Sequence, residues 1–355
     1  MWAQLGLFSG MVCVGSVAGI VAWSATLVNN VFYYEANTPG ITPRQKYTLF
    51  ATGFRWYASF LILYSFEFLC LIISKLMLLG RLAANATQSS QAEVTGMSGV
   101  RRRWLSGRAL PIVYRVMAGA VVVGGVAGLV ANVASAVFYV QYSAVNDQAA
   151  AACDAAGNDT NTSLALFYSS NILHTKAYTA ISVQSSSEAL TLLLVTIAFV
   201  VIVSWSVALF RLAERVAMRA LISSANTRDT MQSGNFRKEA IVADTMQAAA
   251  QQRRRLTVAC IIVLITFPAR AAFDLLNAFS TVRDIQTPDC GVCDPCQSEQ
   301  WLIRHWIDFT PEFQSIVVAV SSPLPLILSL WLITKAHARA RSIAADVRRA
   351  RLTNV

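Results

Sequence analysis

The chain has 355 residues, of which 55% are hydrophobic and only 14% charged. Soluble domains carry about 25% charged residues, so this composition excludes an ordinary soluble globular protein. The net charge of +10 would suit nucleic acid if it were spread over a soluble surface, but its distribution along the chain points elsewhere.

Six apolar stretches recur, at 8–30, 49–80, 112–140, 188–212, 256–281 and 314–334. Each is long enough to cross a hydrocarbon core about 30 Å thick, which needs about 20 apolar helical residues. The expectation is an all-α, polytopic transmembrane helix bundle over 1–335, followed by a basic tail at 336–355. The first stretch has no basic n-region before it, so it reads as a retained span rather than a cleaved leader. Val14-Gly15-Ser16-Val17-Ala18-Gly19 is closely matched by Val123-Gly124-Gly125-Val126-Ala127-Gly128. Gly15 with Gly19, and Gly124 with Gly128, make small-xxx-small faces that let helix backbones approach in lipid. The two hairpins that contain them read as an internal repeat.

Lys and Arg alternate in number from loop to loop. The segments after the second and fourth spans and the tail hold 20 of them, among them Arg101–Arg103 and Arg253–Arg255. The opposite loops hold Arg44, Lys46, Lys176 and Arg304. The positive-inside rule then makes both termini cytoplasmic. Asn158 and Asn161 head N-glycosylation triplets in the expected exoplasmic loop 143–185. Cys153 lies in that loop, and Cys290, Cys293 and Cys296 lie in 284–312 on the same face. An oxidising compartment favours two disulfides among these four over a zinc site, with three pairings open. This places the protein in the secretory pathway or the plasma membrane.

Charges inside apolar spans mark candidate sites, because each is costly in hydrocarbon. Glu67 sits mid-span in the second stretch. Arg270 and Asp274 are four apart in the fifth and share a helical face. Arg55 lies nearer the exoplasmic end of the second. These residues read either as an ion-pair network that holds helix register or as a ligand, ion or proton site. Pro268, Pro323 and Pro325 are expected to kink the last two spans. No lysine stands mid-span, and no catalytic motif, metal-ligand set or phosphate loop is present, so neither an enzyme nor a resident cofactor is expected.

The basic loop residues and the amphipathic tail, with Ile343, Val347 and Ala350 on one side, suit anionic lipid headgroups. Loop 84–109 reads as Ser/Gln/Thr/Gly-rich linker, and loop 213–255 as extensions of its flanking helices.

The last two spans carry Phe267-Pro268-Ala269-Arg270, Asn277-Ala278-Phe279, Pro323-Leu324-Pro325-Leu326 and Leu332-Ile333-Thr334-Lys335. This ending resembles the plant tobamovirus-multiplication proteins and their receptor-like relatives, a seven-helix family with the outline of G-protein-coupled receptors. The second span, closing on Lys75 and Arg81, is similar to that family's third helix. The likeness implies that the six spans match helices two to seven, with the first helix either absent or lost from the gene model. It lacks an Asp-Arg-Tyr-like triplet and an Asn-Pro-x-x-Tyr motif, so familiar G-protein coupling is not implied. The expectation is a receptor-like or scaffolding protein, with a channel or secondary transporter and a structural subunit of a larger membrane complex as alternatives. Lipid, protein partners or further copies of the chain are its expected company, not nucleic acid.

Overall fold

The computed structural model describes residues 2–93, 109–153, 160–226, 235–286 and 327–328. Among them the chain forms five long α-helices: α1 Trp2–Ala36, α2 Pro43–Glu93, α3 Ala109–Ala152, α4 Thr160–Asn226 and α5 Asn235–Gln286. Each contains a stretch long and apolar enough to cross a membrane: Gly6–Ala36, Pro43–Ala84, Pro111–Ala152, Tyr168–Ala208 and Arg253–Thr281. A helix bonds all its own backbone groups, which is what hydrocarbon demands of a spanning segment. The architecture is that of a multi-helix integral membrane protein. The sixth stretch at 314–334, with Pro323 and Pro325, and the tail at 336–355 lie outside the described residues, apart from 327–328.

The α1–α2 turn is well specified. Gly40 adopts a positive φ of 91°, a backbone state that glycine reaches without strain. Thr42 and Gln45 cap α2 reciprocally: Gln45 N–H donates to Thr42 Oγ1 at 3.4 Å, and Thr42 N–H donates to Gln45 Oε1 at 3.2 Å. Pro43 follows the cap, where its missing N–H costs nothing.

Two expectations are corrected. Within the stretch 143–185, expected as a loop, residues 143–152 and 160–185 are helical, because α3 continues to Ala152 and α4 begins at Thr160. Ala149–Ala152 are strong helix formers. The apolar part of α4 starts at Tyr168, twenty residues before 188. The polar run Ser182-Val183-Gln184-Ser185-Ser186-Ser187 disguised it, although Ser182, Gln184 and Ser185 are buried. Likewise α2 runs on to Glu93, into the segment expected as linker. The expected extensions of the fourth and fifth spans are present as α4 to Asn226 and α5 from Asn235. α5 is continuous through Pro268.

The helices divide into two compact units. Unit 1 takes 1–74, 120–193 and 268–323, and unit 2 takes 75–119, 194–267 and 324–355. In unit 1 the small-residue faces are packing faces. A Cβ on Gly15 of α1 would stand 3.0 Å from Cys70 Cβ of α2. One on Gly19 would stand 2.7 Å from the Glu67 carboxyl carbon. Gly124 of α3 meets Thr191 of α4, and Ser187 Oγ donates to the Gly124 carbonyl at 2.6 Å. Further hydroxyls tie helix to helix, Ser143 Oγ to the Ala51 carbonyl and Ser135 Oγ to the Ala177 carbonyl. In lipid such packing and hydrogen bonding replace the hydrophobic drive between helices.

In unit 2, Leu78, Leu79, Leu82, Phe199, Ile202, Val263 and Phe267 are buried. Tyr114 Oη donates to the Leu76 carbonyl at 3.2 Å. Lys75, expected to close the second span, is buried instead, with Nζ 4.8 Å from the centre of the Phe267 ring. Outward, α3 presents Val126, Val130, Val133, Val137 and Val140, a face suited to lipid tails.

Gly15→Leu is expected to destabilise the protein by about 1–3 kcal/mol, because α1 and α2 leave no room for a side chain there. Gly10, with nothing near its Cβ position, is the control, and Gly10→Leu is expected to be silent. Thermal unfolding of the two variants in one detergent checks this.

Candidate functional site

Unit 1 contains a partly open cavity of about 240 Å³ bordered by α1, α2, α3, α4 and α5. Its wall holds a charged network contributed by three helices. Arg270 and Asp274 of α5 form the expected i,i+4 pair, with Nε 3.1 Å from Oδ1. The two side chains are about 5% exposed. Arg270 Nη2 also donates to Glu188 Oε1 of α4 at 3.2 Å and to the Tyr64 hydroxyl of α2.

The Glu188 carboxylate is the hub. It accepts from Tyr64 Oη at 2.7 Å and from Gln184 Nε2 at 2.7 Å. Ser185 Oγ then donates to Gln184 Oε1 at 3.1 Å, and Asn277 Nδ2 donates to Ser185 Oγ at 3.2 Å. Helix periodicity explains the gathering. Gln184 and Glu188 are four apart on α4, and Arg270, Asp274 and Asn277 follow at steps of four and three on α5. The Arg270 guanidinium also lies 5.5 Å from the Phe273 ring centre and 5.9 Å from that of Tyr64, within the range of cation–π attraction.

Aromatic side chains build much of the remaining wall. Trp23 meets Phe60 at 5.3 Å and Tyr64 edge-on at 6.3 Å. Phe54 stacks on Tyr139 at 5.5 Å, and Tyr57 meets Tyr139 edge-on at 4.9 Å. These spacings are those of favourable ring pairs.

The structure sorts the expected site residues. Arg270 and Asp274 are joined in the network. Glu67 is buried, but it faces Gly19 on α1 and does not line the cavity. Arg55 is separate: it pairs with Asp147 of α3, both side chains are partly exposed, and neither borders the cavity. Pro268 lies on α5 two residues before Arg270. Cys153 follows α3, exposed and without a disulfide among the described residues. Cys290, Cys293, Cys296 and Asn158 lie outside the described residues, and Asn161 is in the first turn of α4.

Sequence reasoning missed Glu188, Tyr64 and Gln184. Glu188 stood at the edge of a span drawn too short, so it did not register as an intramembrane charge. Correct placement of that boundary was the signal that could have found it. No group of three or more His, Cys, Asp or Glu suited to a metal ion occurs among the described residues. Unit 2 holds a second recess, of about 730 Å³, lined by Arg211, Arg253 and Arg254 with Gln247 and Gln251. Comparison with protein-family models, with characterised proteins and with solved structures finds no match to this chain.

Removing one partner of a buried pair leaves a charge without compensation, which costs about 3–5 kcal/mol. Glu188→Ala is therefore expected to destabilise strongly, and Glu188→Ala combined with Arg270→Met less than the sum of the two. Arg55→Ala is expected to cost under about 1 kcal/mol, as partly exposed pairs do. A double-mutant cycle read by thermal unfolding in detergent tests both.

Proposed function

We propose that this chain is a non-enzymatic, receptor-like multi-pass membrane protein whose ligand occupies the unit 1 cavity. One observation carries the reading: the Arg270–Glu188–Asp274–Tyr64 network forms the wall of an open space rather than a sealed core. Charged groups within apolar helices are expensive and mark sites of interaction. Because α2, α4 and α5 each supply part of the network, a ligand that exchanges bonds with it biases how those helices pack. The likeness of the last two spans to the tobamovirus-multiplication proteins agrees with this reading. The protein then sits in the plasma membrane or the secretory pathway, with both termini in the cytosol and Asn158, Asn161 and the loop cysteines outside.

The arginine-lined recess of unit 2 supports docking of anionic lipid headgroups, since Arg211, Arg253 and Arg254 offer phosphate-binding forks there. The exposed valine face of α3 suits lipid, a protein partner or a second copy of the chain.

A channel or secondary transporter is the second reading, and Glu67 favours it. It is a further buried carboxylate, one turn from Tyr64 on the same face of α2. Proteoliposomes loaded with proton- and ion-sensitive dyes separate the two readings. The receptor reading expects leak at the level of protein-free vesicles, for the wild type and for Glu67→Gln alike. Flux through the wild type that Glu67→Gln abolishes would establish transport instead. A reporter fused after Val355 is expected to be reached by impermeant quencher only after cells are permeabilised, and quenching of intact cells overturns the topology.

A further inference from the structure

We infer that the unit 1 cavity recognises a small zwitterion, a molecule of amino-acid size carrying both an ammonium and a carboxylate. The inference rests on the receptor reading only in taking the cavity as a ligand site.

The first observation is charge. Two carboxylates, Glu188 and Asp274, border the cavity against one guanidinium, that of Arg270, and each of the three residues is at most 4% exposed. Buried charge demands compensation, and the residues lining the cavity hold two carboxylates to one guanidinium. Nine of the 22 residues that line the space are aromatic and only two, Leu61 and Ile181, are aliphatic. Aromatic faces beside a carboxylate are the setting that attracts an organic ammonium. A metal ion fits less well, because no cluster of three metal-ligating acidic, His or Cys side chains exists among the described residues.

The second observation is independent of the first. Among the buried polar atoms on residues lining the cavity that make no hydrogen bond among the described residues are the donors Trp23 Nε1, Thr26 Oγ1 and Arg270 Nη1; Arg270 Nε is ion-paired with Asp274. Thr26 is only 6% exposed. Indole and guanidinium nitrogens can only donate, and the threonine hydroxyl can donate as well. Unmet buried donors are unfavourable, and the three together call for an acceptor, best an ionised one. Trp23 and Thr26 are three apart on α1 and share a face. The Trp23 ring lies 6.3 Å from that of Tyr64, whose hydroxyl already accepts from Arg270. The ligand's carboxylate therefore belongs among Trp23, Thr26 and Arg270, and its ammonium on the side of Glu188, Asp274 and the aromatic faces.

The third observation is size. The cavity measures about 240 Å³. It falls below the range of drug-sized pockets, roughly 300–1,000 Å³.

The test uses the full-length protein in lipid nanodiscs, with phenylalanine, alanine, glycine and 4-aminobutyrate as zwitterions. Phenethylamine lacks the carboxylate and 3-phenylpropionate lacks the ammonium. Saturable thermal stabilisation by at least one zwitterion is expected, without stabilisation by the two single-charge analogues. Thr26→Val is expected to weaken that zwitterion by about tenfold, the loss of one hydrogen bond to a charged group. Arg55→Ala, away from the cavity, is expected to leave the affinity unchanged. Equal stabilisation by the amine or the acid, no stabilisation by any zwitterion, or indifference to Thr26→Val overturns the inference. Vesicle uptake of a bound zwitterion would leave the inference standing and remove the receptor reading. Absence of both binding and flux removes the inference and leaves that reading in place.

Discussion

A guanidinium has been placed inside apolar helices, and much of unit 1 is arranged around it. Arg270 cannot lose its charge as a carboxylic acid can, so its surroundings must supply the compensation that water otherwise gives. Asp274 does so from the same helix, and Glu188 and Tyr64 do so from two others. The demand then propagates. Glu188 has lone pairs to satisfy, and Gln184 fills one of them. Gln184 in turn holds Ser185, which accepts from Asn277 back on α5. The chain of bonds returns to the helix it started from, so α4 and α5 are locked in register by polar contacts in a solvent that offers none.

Close backbone approach complements the network. Gly15 and Gly19 let α1 lie against α2, and Gly124 lets α3 lie against α4. Gly19 has a second use, because its missing side chain is the space into which the Glu67 carboxylate fits. Elsewhere the helices carry large rings instead. Trp23, Phe54, Tyr57, Phe60 and Tyr139 pack on one another's edges and faces. Rings of fixed shape border a gap they do not fill, and the cavity is that gap. Small residues and rings thus divide the labour along the same helices, the first closing the bundle and the second holding a space open within it.

Under the proposed receptor reading, this division links the site to function. A cavity whose wall includes the register-setting bonds is one whose occupancy matters to the helices around it. Glu188 is bonded to groups on α2, α4 and α5 at once, so any ligand atom competing for Glu188 or Arg270 is felt by three helices. Arg55 and Asp147 show the contrast. Their pair is partly exposed, links two helices only and borders no cavity, so it has neither the energetic weight nor the position to report on a ligand.

The class of the protein was legible in the chain alone, because length and apolarity of a segment are local properties and lipid imposes them segment by segment. The Arg270–Asp274 pair was legible for the same reason, since four residues along a helix is a contact whatever the tertiary structure. So were the packing faces at Gly15, Gly19, Gly124 and Gly128. The apolar pattern failed where the helix turned polar for a purpose: the serine-rich run at 182–187 read as loop, and with it Glu188 passed for a residue at the membrane edge. The meeting of Tyr64, Glu188 and Arg270 was out of reach of any reading by spacing, because 124, 82 and 206 residues separate the pairs. Periodicity tells which face of a helix a residue occupies, but not which helix that face will meet. Only the packed bundle decides that, and with it whether buried charges seal a core or, as here, wall a cavity.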